Sequence, residues 1–360
     1  MAGLRRLDRK HVILTVLVVC LTLNFLLLWL IYPTRHVQQT VQRIAPPLPV
    51  GKYGLTFQPS PHMISQCVQH CHPKFTVVGV DKDAVKHACR QQKKINQSLI
   101  TMVKVLENRE KKILSFLLKP VVNHIQHAYT HNPRHACVFN KTDVLFVIPS
   151  SAANFENRVK VRNSSIGQFV KQRQNKAAML FFLGKPPTDV ENIQRKIDVE
   201  SGNHGDIVQE NFLDVYSNIR LKALSMLYWA AEFCPQTTFV IRADDDVKVF
   251  PDKLVSVLRD THSRHGNFIL GNKVIGWEPI RKKNSKYYLS EGEYPHSTLP
   301  PFALGGLLGY PICTVWLLYQ AALRVRPVWL DDVYVTGICA PEVGVPVLND
   351  TNFGFKHWDW

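Results

Sequence analysis

Two acidic clusters give this chain its evident capacity for chemistry. "FVIRADDDVKVF" (239–250) sets Asp244, Asp245 and Asp246 directly behind an apolar run, and "WLDDVYVTGICA" (329–340) sets Asp331 and Asp332 before another apolar stretch. Carboxylates about 4 Å apart repel by roughly 1 kcal/mol in water and about 4 kcal/mol at the effective dielectric of a protein surface, so the triplet calls for compensation. A solvated turn is one answer. A hard divalent cation is the other, because Mn2+ and Mg2+ prefer carboxylate oxygens and bridge them to phosphate. On an extended strand end alternate residues share a side, so Asp244 and Asp246 can share an ion while Asp245 faces a sugar hydroxyl or a backbone amide. By spacing, the second cluster reads equally as a base that takes a proton from a hydroxyl and as a helix N-cap.

The elements that must position these acids follow from periodicity. "DVLFVIPS" (143–150), "AAMLFFLG" (177–184) and "TTFVIRADDD" (237–246) read as buried strands, while residues 188–200 and 216–233 read as helices. Such alternation predicts an α/β sandwich with a mixed, mainly parallel central sheet, whose ligands bind beyond the carboxyl ends of the strands. No glycine-rich phosphate loop opens a helix after these strands. "ALGGLLGY" (303–310) reads instead as a close backbone approach to a ligand or a neighbouring helix. From about Asp83 to Lys119 an amphipathic helix is predicted, packed on its own domain, with a dimerising stem coiled coil as the rival and a homodimer as its consequence.

Val12–Tyr32 carries no charge and is long enough as a helix to span a hydrocarbon core of about 30 Å. Arg5, Arg6, Arg9 and Lys10 precede it against Arg35 and Arg43 beyond, which keeps the N-terminus cytosolic and makes a single-pass type II membrane protein. A cleaved signal peptide would have a shorter apolar region and small residues at its end. Sequons at Asn96, Asn140, Asn163 and Asn349, as candidate N-glycosylation sites, agree with a luminal location. So do the cysteines beyond the span (Cys67, Cys71, Cys89, Cys137, Cys234, Cys313, Cys339), whose odd number leaves a thiol over. The formal charge of +16 suits an anionic, phosphorylated small molecule, since a luminal chain has no nucleic acid to meet. The predicted organisation is a cytosolic tail (1–11), a signal-anchor (12–32), a Pro- and Gly-rich stem (33–65), a helical Cys-containing region (66–135) and a catalytic domain (136–360).

Taken in order, several blocks resemble the inverting β-1,3-glycosyltransferases of the galactosyltransferase group, over about residues 144–340. "SSAANFENRVKVR" is similar to the opening block with its two arginines, here Arg158 and Arg162. "FFLG" and "GDIVQENFLDVYSNIRLKALSMLYWAAEFCP" follow. "FVIRADDDV" then takes the Asp-x-Asp place, "PIRKKNSKYYLSEGEYP" (279–295) the substrate-loop place, and "LDDVYVTGIC" the place of the acidic-Asp-Val-Tyr block. The resemblance implies a GT-A-type fold, a UDP-sugar donor, an acceptor glycan, Mn2+ or Mg2+ on Asp244 and Asp246, and a Golgi membrane location. It makes Asp332 the catalytic base, Arg158, Arg162, Lys222 and Asp245 candidates for donor contacts, and His357 a candidate further metal ligand. The family's Thr-Trp after the second arginine is replaced by Ser164-Ser165. A non-catalytic luminal chaperone is the rival from another class, and the retained Asp244, Asp246 and Asp332 argue against it.

Overall fold

The computed structural model describes residue 108 and residues 110–137 and 142–355. The anchor stretch, the stem, most of the helix expected over 83–119, Asn96, Asn140 and His357 lie outside the described residues. Among the described residues no helix is long and apolar enough to cross a membrane. The tail of the expected helix is present as helix at 110–117.

Strands β1 (Tyr129–His131), β2 (Val144–Pro149), β3 (Ala177–Lys185), β4 (Ile207–Leu213), β5 (Phe239–Ala243), β6 (Ile269–Val274), β7 (Phe302–Pro311) and β8 (Val347–Asn349) form one sheet in the order β1-β4-β3-β2-β5-β7-β6-β8. β4, β3, β2 and β5 run parallel, β7 lies antiparallel between β5 and β6, and β8 pairs parallel with β6. This mixed α/β sheet is consistent with the GT-A-type architecture that the resemblance implies. From β2 the chain moves outward to β3 and β4, then returns to place β5 on the other side of β2. The carboxyl ends of β2 and β5 therefore flank a topological switch point, where open sheets of this type bind ligands.

β2 is buried along nearly its whole length, which is why "VLFVIP" is a continuous apolar run rather than an alternating one. Helices cover both faces. Along one lie α1 (Phe155–Asn163), α2 (Ser165–Lys171), α3 (Val190–His204) and, after α4 (Ile219–Phe233), α5 (Pro251–Arg264). Val161, Ile166, Phe169, Val255 and Leu258 from these helices pack on Phe146, Ile148, Phe181 and Ile241 of the sheet, each full burial contributing about 1.5–3 kcal/mol. On the other face α4 and α6 (Ile312–Ala322) are apolar almost all round and correspondingly buried.

The described residues fall within one compact unit. β1 pairs with β4, and Val122 and Asn123 donate their amides to Leu323 O, so the sheet begins before the boundary drawn at residue 136. A disulfide joins Cys137 to Cys234 at the end of α4, with Cα atoms 5.5 Å apart. Cys313 is also disulfide-bonded, and Cys339 is a free, buried thiol.

The glycine-rich stretch 303–310 is a strand, not a loop. A Cβ on Gly306 would meet the Phe355 ring at 2.6 Å, and one on Gly305 would meet the Arg242 guanidinium at 3.0 Å. Close approach was the correct expectation, but a ring and a guanidinium make it rather than a helix.

Candidate active site

β5 stops at Ala243, and Asp244–Val247 closes a turn in which Val247 N–H donates to Asp244 O at 3.2 Å. Strand alternation therefore does not extend through the triplet. Asp244 N–H donates to Gly306 O, which ties the turn to β7. The Asp244 side chain is 34% exposed, yet its Oδ1 is covered and has no hydrogen-bond partner. Arg242 Nη2 lies 3.5 Å from that oxygen. Burial first, then the charges of Asp331, Asp246 and Asp245, push the Asp244 carboxyl up to about 6 against the pull of Arg242.

Arg242 is the residue that sequence inspection passed over. It stands two positions before Asp244, a lone charge in an apolar run, and that was the available signal. Its Nη1 donates a short hydrogen bond to Asp331 Oδ2, and its plane rests on Gly305. Burial alone would lower the guanidinium, but the charges of Asp331 and Asp244 outweigh it and hold Arg242 above its ordinary value. One cation thus links the two acidic clusters. Beside it is a small cavity of about 10 Å³ lined by Val147, Met226, Arg242, Tyr310, Asp331 and Asp332, roughly the space that one water's centre requires.

With Asp331 committed to Arg242, Asp332 is the acid of the second cluster left for chemistry. It caps the π-helix Val333–Cys339, its Oδ1 accepting from Val333 N–H at 2.7 Å. The cap is therefore real, and it fixes the carboxylate without hiding it, since the residue is only half-buried. Burial and the Asp331 charge push Asp332 up to about 7, against the Val333 amide, Arg242 and the Gly305 amide. π-Helical turns of this kind recur at functional sites.

The four residues expected at the donor share one property: each satisfies buried partners within the protein. Arg158 is 0% exposed and donates to Glu200, Ser150 Oγ and the carbonyls of Ser151 and Ala152. Arg162 pairs with Glu200 and Asp206 at 2.7–2.8 Å. Lys222 is neither surface charge nor an open cation; its Nζ donates to Ser150 O and Asp214 Oδ1, both at 2.6 Å. Asp245 is 8% exposed and accepts from Ser150 Oγ, Asn154 and Asn157. Burial raises its carboxyl even so.

Ser164 caps α2 and Ser165 donates to Val249 O, so both replacements for Thr-Trp have local structural roles. Asn163 is exposed at the end of α1. Asn349 is exposed on β8, its Oδ1 accepting from Lys273 N–H. Among the described residues no three His, Cys, Asp or Glu side chains converge on one metal position. The covered Asp244 Oδ1, which makes no hydrogen bond, fits a cation all the same, because a hard ion also draws ligands from waters and from a substrate's phosphates.

A model of the galactosyltransferase family matches residues 157–351. The chain is 32% identical over 227 residues to beta-1,3-galactosyltransferase 1 of Mus musculus, covering 63% of this chain and 68% of that protein. It is 30% identical over 222 residues to lactosylceramide 1,3-N-acetyl-beta-D-glucosaminyltransferase A of Xenopus laevis, covering 60% and 59%. The lactosylceramide 1,3-N-acetyl-beta-D-glucosaminyltransferase of Homo sapiens is 28% identical over 225 residues, covering 61% and 59%.

Proposed function

The chain belongs to the galactosyltransferase family and is a β-1,3-glycosyltransferase, and on that premise we propose that it transfers a hexose or N-acetylhexosamine from a UDP-sugar to the 3-hydroxyl of an acceptor glycan. Galactose and N-acetylglucosamine are the favoured sugars, since the similar proteins are named for them. The observation that carries this reading is the linkage of Asp244 and Asp331 through one buried Arg242, with Asp332 adjacent and the covered Asp244 Oδ1 making no hydrogen bond.

Asp244 and Asp246 would hold Mn2+ or Mg2+, which supplies neutralisation of the diphosphate charge when bound. Asp332 accepts the proton of the acceptor hydroxyl as the new bond from that oxygen to the anomeric carbon forms. The bond from the anomeric carbon to the diphosphate oxygen breaks in the same displacement, so UDP leaves and the configuration inverts. Arg242 keeps Asp331 occupied and thereby leaves Asp332 as the base. Arg158, Lys222 and Asp245 act on the donor indirectly, by holding the Ser150–Asn154 loop beside the triplet.

The reaction is placed in the Golgi lumen, with residues 12–32 as a type II signal-anchor. The uncharged stretch, the sequons at exposed Asn163 and Asn349, and the Cys137–Cys234 disulfide support that placement. A mobility shift after enzymatic removal of N-glycans tests it. For the reaction, UDP release is measured over a panel of UDP-sugars with a panel of acceptors, with Mn2+ and with chelator, and the product linkage is read by NMR. Metal-dependent release and a β-1,3 product are expected. No metal-dependent turnover with any donor, or native turnover in Asp246→Ala, would overturn the reading.

A further inference from the structure

Three aromatic rings from distant parts of the chain meet beside Asp332. Tyr216 comes from the short turn before α4, Tyr287 from the loop between β6 and β7, and Trp329 from the segment running into Asp331. Tyr216 lies 5.7 Å from Trp329 and 6.1 Å from Tyr287 between ring centroids, edge to face in both cases. Trp329 Nε1 donates to Tyr288 O at 2.9 Å, which fixes the indole against the loop. Lys286 Nζ stands 4.7 Å from the Tyr287 centroid and 5.7 Å from that of Tyr216. Tyr216 is nevertheless 46% exposed and Tyr287 40%.

Rings packed on one another and still open to water are prepared for a further partner. Only Leu330 and Asp331 separate Trp329 from Asp332, so one ring of the cluster stands on the segment that carries the base. Burial, Tyr287 and then the charges of Asp331 and Asp332 raise the Tyr216 phenol, which agrees with that proximity. A pyranose ring matches this surface: its C–H face suits the negative face of an aromatic ring, while its hydroxyls stay in water or accept from Lys286. The diphosphate belongs with Asp244 and Asp246, so the base side is left to the acceptor.

We propose that Tyr216, Tyr287 and Trp329 form a stacking platform for the acceptor's pyranose ring, which turns the 3-hydroxyl toward Asp332. This rests on the transferase reading. The test uses the full-length chain, without sugar-headed detergent, and saturation-transfer NMR on methyl β-D-galactopyranoside and methyl β-D-N-acetylglucosaminide. One of the two should take up saturation mainly on the C–H protons of one ring face, with the signal retained in Tyr287→Phe and lost in Tyr287→Ala and Tyr216→Ala. In turnover, Tyr287→Ala should raise the acceptor KM about tenfold while the donor KM moves by less than about twofold. No saturation of either glycoside on the native chain, or equal saturation in both alanine variants, overturns the platform. A shift confined to the donor KM also overturns it and assigns the rings to uridine. If the native chain releases no UDP from any UDP-sugar, the transferase reading has failed; normal turnover with an unmoved acceptor KM removes the platform alone.

Discussion

Around Arg158 and Arg162, two guanidinium groups face the carboxylates of Glu200 and Asp206 through hydrogen bonds of 2.7–3.1 Å. Around Arg242, a single guanidinium faces Asp244 and Asp331, with Asp245, Asp246 and Asp332 close by. Burial alone would raise Glu200, but its two arginines outweigh burial and hold it below the ordinary range. Asp244 and Asp332 are pushed the other way, to about 6 and about 7. Both regions take charge out of water, and only the first is balanced. A balanced network holds a loop in place; an unbalanced one leaves room for a cation and for a carboxylate able to accept a proton.

The contrast is sharpest where function and stability separate. Asp332→Asn should lower kcat by about 10²–10⁴-fold with the fold retained, which steady-state kinetics beside circular dichroism will show. A loss of fold of similar size would make Asp332 a structural cap first. Arg158→Met should do the reverse in rank, costing about 3–5 kcal/mol in urea unfolding because Glu200 and the Ser151 and Ala152 carbonyls lose a buried partner. Gly305→Ala drives a Cβ toward the Arg242 guanidinium and should cost about 1–3 kcal/mol. It should reduce turnover as well, since the same residue's amide meets Asp332.

The smallest effect separates the regions by sign. In metal-free buffer Asp332 binds its proton more tightly folded than unfolded, from its ordinary 3.8 up to about 7, so its contribution to stability falls as pH rises through that window. Glu200 sits below its ordinary 4.5 when folded, so its contribution is present above that value and is lost as pH falls through the folded pKa. Melting temperatures across pH should therefore lose part of their decline above pH 4 in Asp332→Asn and part of their acid limb in Glu200→Gln. The same slope change in both variants would erase the distinction.

β2 and β3 were legible because each is a continuous apolar run buried on both faces, β5 because only Arg242 breaks its run, and α4 because its long, largely apolar stretch exceeds the length of a strand. β7 was not read as a strand, because Gly305 and Gly306 yield their side-chain space to Arg242 and Phe355, neighbours that only the fold supplies. The acids themselves and their division were visible, but the geometry behind the division was not. Alternation assigned Asp245 to the opposite side of a strand, whereas the chain turns at Asp244 and buries Asp245 on Ser150, Asn154 and Asn157. The pairing of Arg158, Arg162 and Lys222 with Glu200, Asp206 and Asp214 was not legible, because these acids are remote along the chain or unmarked by any period. Arg242 needed only the question of why a charge interrupts a buried strand.

Binding of Mn2+ to the full-length chain, followed by electron paramagnetic resonance in the presence of UDP, tests the unbalanced site most directly. We expect one ion bound per native chain, lost in Asp246→Asn and kept in Arg158→Met variants that remain folded. No bound ion on the native chain, or the same binding in Asp246→Asn, would contradict a metal site at the end of β5.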